Sequence, residues 1–343
     1  RGGGSSQGVA GKQEDTSGEK MMLDDEISKI AAEVGDQIHK RLGGHPSRLY
    51  AAAAHLPIQG GKRMRPFMVI KSCEAVGGMP RDALAAATAI ELLHNFTLVH
   101  DDIMDNDMLR RGMPTVHTIY GNPTAILAGD LLFAESLDLL LTSGGDPEKL
   151  RKAASALTKA TRVLSEGQHM DMDFEGRKRV TEAEYLDMVY RKTAALFQAA
   201  GQIGAILGGG SEQEVLLLGE CGKDLGIAFQ IYDDYLGVTS TEEVLGKSVG
   251  NDIREGKKTL IVIKSLETPA QGKTLELLGK KDASEREIEE LVQTFKRLGI
   301  LEYVLAKAQH HVRKAKASLL RLPDTVARSQ LLELVEFTIA RKK

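Results

Sequence analysis

The chain has 343 residues, 42% of them hydrophobic and 27% charged, enough for one large soluble domain or two ordinary ones. Its net charge is −3, Trp is absent and aromatics make up only 4%, so it lacks both the basic footprint and the stacking surface of a nucleic-acid binder. No apolar run reaches the roughly 18 residues a membrane span needs, and no charged–apolar–cleavage-site pattern opens the chain, so neither a transmembrane segment nor a secretory signal is expected.

Residues 1–20, RGGGSSQGVAGKQEDTSGEK, carry almost nothing to bury and read as a disordered tail or an expression remnant. From Met21 to Lys343 the pattern is helical nearly throughout and predicts a single all-α domain. Ile27, Ile30, Val34 and Ile38 form an amphipathic stripe. The stretch from Pro80 to Asp102 starts with a good first-turn residue and stays apolar on most faces, which predicts a central helix. Three further segments, around 161–174, 182–207 and 214–236, read the same way. Small residues at Ala199, Ala200, Gly201, Gly204 and Ala205 would let helices approach closely. Gly and Pro fall between the helices, at Gly43-Gly44, Gly77-Gly78, Gly144 to Pro147 and Gly208 to Gly210. Neither alternating strands with hairpin turns nor a 20–50-residue repeat is visible. Residues 237–258, GVTSTEEVLGKSVGNDIREGKK, are polar and glycine-spaced and predict a loop or flap. From about Ser284 amphipathic helices resume. Cys73 and Cys221 have no CxxC partner and read as buried, reduced thiols of a cytoplasmic protein.

Chemistry concentrates at the ends of two apolar helices. In LLHNFTLVHDDIMDNDMLRRG, Asp101 and Asp105 lie one turn apart on one helical face, and Asp102 points about 100° away. Paired carboxylates at a helix C-terminus face the wrong end of the dipole unless a cation joins them. An EF-hand is excluded, because Leu109 and Arg110 stand where its third ligand and glycine belong. In FQIYDDYLG, Asp233 and Asp234 end a second apolar helix, with Gln230 one turn before Asp233. Two such ends facing one cavity could share Mg2+ with substrate phosphates. QGGKRMRPF puts Lys62, Arg63 and Arg65 beside a helix start, which makes an anion site, although not a P-loop. Arg110-Arg111, Lys192, Lys247, Lys257 and Lys258 supply further cations, and His94 lies two turns before Asp101 on the same stripe.

GGKRMRP, ELLHNFTLVHDDIMDNDMLRRGMPTVH, YRKTAALF, GIAFQIYDDYLG and GKSVGNDIREGKKTL resemble, in order, the motifs of the trans-isoprenyl diphosphate synthases, or polyprenyl synthetases. The resemblance runs from about residue 22 to the C-terminus. It implies an all-α isoprenoid synthase fold around a deep central cavity, usually in a homodimer. It also implies head-to-tail condensation of isopentenyl diphosphate with an allylic diphosphate (dimethylallyl, geranyl or farnesyl) through an allylic cation. The cofactor implied is three Mg2+ ions, with Mn2+ as a substitute.

Position by position, the resemblance assigns Asp101, Asp105 and Asp233 to metal, with Asp102 and Asp234 as supporting members of their motifs. Arg110, Lys192, Lys247 and Lys257 match the allylic diphosphate site. Lys62, Arg65, His94 and Arg111 match the isopentenyl diphosphate site. Thr193 and Gln230 match polar groups near the allylic cation. One departure stands out: the second motif lacks its third acid, with Gly237 in that place. An aromatic Phe96 followed by small Thr97, with no insertion in DDIMD, resembles synthases that make geranylgeranyl diphosphate (C20). Farnesyl or longer products are the alternatives. A terpene cyclase would not need Lys62, Arg65 and His94, and a non-catalytic regulatory subunit would tend to lose the first acidic motif.

Overall fold

A computed structural model describes the backbone of residues 16–240 and 249–340, and side chains from Leu23 onward. The first helix, α1, is Thr16–Arg41, so residues 16–20 are helical where the sequence predicts an unstructured tail; the rest of that tail, 1–15, lies outside the described residues. Its Ile30, Val34 and Ile38 are buried along one stripe, as the spacing predicts. Then follow α2 (Ser47–His55), α3 (Met64–Ala75), α4 (Pro80–Met104), α5 (Val116–Tyr120), α6 (Asn122–Thr142) and α7 (Pro147–Gly176). The helices α8 (Glu182–Val189), α9 (Ala195–Gly208) and α10 (Glu212–Thr239) complete the central group. Beyond them lie α11 (Asn251–Glu255), α12 (Leu260–Ser265), α13 (Gln271–Leu277), α14 (Glu285–Arg297), α15 (Ile300–Leu319) and α16 (Val326–Ala340).

The centre is built from α3, α4, α9 and α10, which are apolar on several faces and bury most of their length. Glycine sets how closely they meet. A Cβ on Gly204 of α9 would stand 2.2 Å from the Val69 carbonyl oxygen of α3, and one on Gly222 of α10 would stand 2.2 Å from that of Phe197. Any side chain at either position would drive the helices apart, and their contact is what brings their C-terminal or neighbouring polar ends to one place. A first apolar core runs through α1, α3, α4, α6 and α9, and a second gathers around α8, α12, α14 and α15. Helix α10 contributes to both, with Leu218 and Leu225 in the first and Ile227 and Ile231 in the second.

Two local features depart from the sequence reading. A short antiparallel hairpin, β1 (Leu109–Arg110) and β2 (Met113–Pro114), follows the first acidic motif, where no hairpin is expected. Its two-residue strands are too short to show alternation, and its turn uses Arg111 at φ +54 beside Gly112 at φ +76. The 237–258 flap is also partly helical: α10 continues to Thr239 and α11 occupies 251–255. Cys73 and Cys221 are buried free thiols, and burial pushes the Cys73 thiol up to about 12, which leaves it unreactive. No helix among the described residues is long and apolar enough to cross a membrane.

Candidate active site

The C-terminal end of α10 faces a cavity, and the carboxylates at the end of α4, Asp101 and Asp105, act on its Lys192. The cavity is lined by Asp171 of α7, Tyr185, Met188 and Val189 of α8, then Lys192, Thr193, Gln230, Asp233, Asp234, Gly237, Asp252 and Lys257. Lys192 and Thr193 reach it from a single π-helical turn, Tyr190–Ala194, between α8 and α9. That extra residue in the turn rotates both side chains relative to a regular helix, a device common at functional sites and invisible to a 3.6-residue pattern. Lys192 Nζ donates to Asp171 Oδ2 at 2.5 Å. Burial works against the ammonium, but Asp171, Asp101 and Asp105 outweigh it and hold its pKa above the ordinary lysine value.

The second acidic motif divides its labour. Asp234 is buried, accepts hydrogen bonds from Tyr185 Oη (2.7 Å) and Gln230 Nε2 (2.9 Å), and is pushed up to about 7 by burial and then by Asp252. Thr193 Oγ1 donates to Gln230 Oε1 at 2.9 Å, which fixes the amide orientation and leaves Asp233 facing the cavity. In the first motif, Asp102 is buried and accepts from Arg110 Nε at 2.6 Å. Asp101, on the other face, is pushed up to about 6 by burial, although Lys192 opposes the shift. Arg110 therefore spends its Nε on Asp102 and places Nη2 4.0 Å from Asp107, within its own motif.

Hard oxygen donors at raised pKa are chemically suited to Mg2+: the fold has desolvated Asp101 without supplying a full counter-charge. Among the described residues no three His, Cys, Asp or Glu converge tightly enough to cage an ion alone. An ion held here would draw further oxygens from water or a bound diphosphate, as Mg2+ commonly does.

A second cavity adjoins the first. Gly61, Lys62, Arg63, Met64, Arg65, Glu91, His94, Arg111, Phe197, Phe229 and Asp233 line it. The Arg65 guanidinium stacks 4.3 Å above the Phe197 ring, and Arg111 hydrogen-bonds the Gly60 carbonyl. Burial, then Arg65 and Arg111, hold His94 well below the ordinary imidazole pKa, so it is neutral and able to donate one N–H. Asp233 lies on the wall common to both cavities.

The polyprenyl synthetase signature matches residues 46–295. The chain belongs to the polyprenyl synthetase family. It is 45% identical to a geranylgeranyl diphosphate synthase of Methanosarcina mazei, covering 94% of this chain and 99% of that one. It is 47% identical to a short chain isoprenyl diphosphate synthase of Methanothermobacter thermautotrophicus, covering 87% and 91%. The crystal structure of geranylgeranyl pyrophosphate synthetase from Pyrococcus horikoshii superposes with a TM-score of 0.89 at 41% identity, covering 94% and 99%. The all-α isoprenoid synthase architecture and the prenyltransferase class follow from these matches.

Of the motif residues of this polyprenyl synthetase, Lys192, Thr193, Gln230, Asp233, Asp234 and Lys257 line the first cavity and Lys62, Arg65, His94, Arg111 and Asp233 the second. Asp101, Asp102, Asp105 and Arg110 line neither; Asp101 and Asp105 stand close enough to Lys192 to raise its pKa. Lys247 lies outside the described residues. Arg63, which the sequence groups with Lys62 and Arg65 as an anion binder, lines the second cavity with them, but its guanidinium is paired with buried Glu91. Phe96 and Thr97 line neither cavity. The Phe96 ring packs between α4 and α6, with centroids 4.9 Å from His100 and 5.5 Å from Phe133. Thr97 is buried and donates to the His94 carbonyl at 2.8 Å. Sequence reading missed Asp171, Tyr185, Asp252 and Glu91. Each acts through a partner on another element, so no local spacing announces it, although Glu91 and Asp252 both lie inside quoted motifs.

Proposed function

We propose that the chain condenses isopentenyl diphosphate head to tail with allylic diphosphates to give geranylgeranyl diphosphate. The observation that carries this reading is the pair of adjoining cavities with Asp233 on their common wall: one acidic with Lys192 and Lys257, the other rich in Lys62, Arg65 and Arg111. Two anion sites on either side of one carboxylate fit two diphosphate substrates, whereas a cyclase acts on one.

Lys192, Lys257 and Arg110 orient the allylic diphosphate, with Lys247 as a further member from the motif. Asp101, Asp105 and Asp233 hold Mg2+, three ions in the complete complex, and Mn2+ can substitute. When bound, the ions neutralise charge on the departing diphosphate. The Lys192 ammonium adds to that stabilisation, and its raised pKa keeps it charged throughout the neutral range. As the allylic C–O bond breaks, the Thr193 hydroxyl and Gln230 amide dipoles lie beside the developing cation; their mutual hydrogen bond keeps them preorganised. Asp102 and Asp234 are positioning residues. Asp102 anchors Arg110, and Asp234 anchors Gln230. In the second cavity Lys62, Arg65, Arg111 and neutral His94 fix isopentenyl diphosphate so that its double bond meets the allylic carbon. The new C–C bond forms, and a proton then leaves to the released pyrophosphate. Apolar walls beneath exclude water that would quench the cation.

The product tail extends along α4 towards its N-terminus, where Phe96 closes the channel at C20 and Thr97 lets the chain pass. The protein works as one domain, as a homodimer, in the cytoplasm; exposed Ile126, Leu127 and Leu141 on α6 support assembly with a second copy. The test is pyrophosphate release with each substrate alone and with both. Condensation requires both plus Mg2+; release from the allylic diphosphate alone, without isopentenyl diphosphate, would favour a cyclase instead.

A further inference from the structure

We propose that Arg63 and Glu91 form a buried clamp that holds the 60–65 turn in the shape that presents Lys62 and Arg65 to isopentenyl diphosphate. The inference rests on the condensation reading and concerns two residues on the wall of the second cavity whose charged groups are paired with each other, so they are assigned as positioning residues.

Arg63 precedes the first turn of α3 with φ +44 and ψ +31, the left-handed region that residues carrying a Cβ normally avoid and glycine favours. Gly60 and Gly61 stand one residue further back, before Lys62, yet the strained position is given to an arginine, and its side chain is almost completely buried. Something must hold it there. Its Nη1 donates to Glu91 Oε1, and its Nη2 donates to the Pro57 carbonyl at 2.5 Å. One guanidinium thus ties both sides of the turn to α4. Glu91 is itself fixed: Asn95 Nδ2, one helical turn on, donates to Glu91 Oε1 at 3.1 Å and to the Glu91 carbonyl at 2.7 Å. All three residues are buried.

Charge gives the clamp its second purpose. Arg65 and Arg111 flank the same cavity and both feel the Glu91 carboxylate, which raises their pKa values against the burial that lowers them. Glu91 is therefore a resident counter-charge for a cluster of arginines before any diphosphate arrives. Because its direct ion pair is with Arg63, Arg65 and Arg111 remain available to the ligand. A lysine could not replace Arg63, since the contact to Glu91 and to Pro57 needs two nitrogens of one planar fork.

The test compares KM for isopentenyl diphosphate, KM for the allylic substrate, and thermal midpoint. Either single truncation strands a buried charge and can unfold the protein, so the informative variant is the double Arg63→Met/Glu91→Leu, which removes both charges at similar volume. It is expected to keep a near-native thermal midpoint, to raise KM for isopentenyl diphosphate about tenfold or more, and to leave the allylic KM within about twofold. Arg63→Lys, which keeps the charge and loses the fork, is expected to shift the same KM in the same direction. Calorimetric titration with inorganic pyrophosphate reads the loss without turnover. Native affinity for isopentenyl diphosphate in both variants, or an equal rise in both KM values, would overturn the clamp. Wild-type turnover in the same assay tests the condensation reading by itself, because the clamp is judged only from the ratio of variant to wild type.

Discussion

The Asp252 carboxylate occupies the space that a side chain at position 237 would enter: a Cβ built on Gly237 would stand 3.3 Å from Asp252 Oδ2. The two are joined further by a hydrogen bond from the Gly250 amide, two residues before Asp252, to the Gly237 carbonyl at 2.9 Å. The second acidic motif, which in sequence lacks its third acid, therefore has a third carboxylate in space, carried by α11. Asp252 also raises the pKa of both Asp234 and Lys257, so its charge is felt across the cavity.

Restoring the acid should hence harm rather than help. Gly237→Asp would set a second carboxylate against Asp252 and is expected to lower kcat about tenfold or more through like-charge repulsion in a desolvated site. Gly237→Ala asks Asp252 to yield by a few tenths of an ångström and should stay within about threefold of native turnover. A Gly237→Asp enzyme faster than the native one would show that position 237 is deficient, not substituted.

Metal dependence should follow proton competition. The Asp101 carboxyl is pushed up to about 6 by burial, and it must be deprotonated to bind a cation. Its folded pKa lies above the unfolded value, so the charged form is the disfavoured one and is lost first as pH falls. The Mg2+ concentration giving half-maximal rate is expected to rise about tenfold per unit below pH 6 and to flatten above pH 7. Initial-rate titrations from pH 5 to 8 at saturating diphosphates check this; a flat requirement would remove Asp101 from the metal site. Asp101→Ala and Asp233→Ala should each reduce turnover by orders of magnitude while far-UV circular dichroism stays helical.

The two cavities should separate kinetically. Arg65→Ala is expected mainly to raise KM for isopentenyl diphosphate, and Lys192→Ala mainly to impair the allylic partner. Losing one charge-assisted contact costs roughly 1.5–3 kcal/mol, or about 10- to 150-fold. Steady-state kinetics with each substrate varied in turn gives the answer, and equal effects on both substrates would reject the division.

Much of this is legible in the sequence. Apolar stripes such as Ile30–Val34–Ile38 announce helices, and paired aspartates at the ends of two apolar runs announce a cation site. What stayed hidden depends on contacts between distant elements. Asp171 matters because Lys192 reaches it from a π-turn, and Tyr185 because Asp234 is buried beneath it. The sequence groups Arg63 with its neighbours as an anion binder, since adjacency gives no sign that its φ is +44 and its guanidinium is taken by Glu91. The hairpin of Arg110 and Arg111 is likewise too short for any periodic pattern to reveal.

Product length tests the packing of α4 against α6. Phe96→Ala removes a ring that contacts His100 and Phe133 and should extend products beyond C20. Since the ring is only half-buried, the stability loss should fall below the about 3–5 kcal/mol of a fully packed phenylalanine. Reversed-phase analysis of a folded, active variant with an unchanged product distribution would rule out Phe96 as the end of the channel.

The most direct measurement of the central claim is chromatography of the products formed from isopentenyl diphosphate, an allylic primer and Mg2+. Linear geranylgeranyl diphosphate as the main product, with farnesyl diphosphate passing through as an intermediate, is the expected result. No elongated product, or a cyclic hydrocarbon in its place, would contradict it.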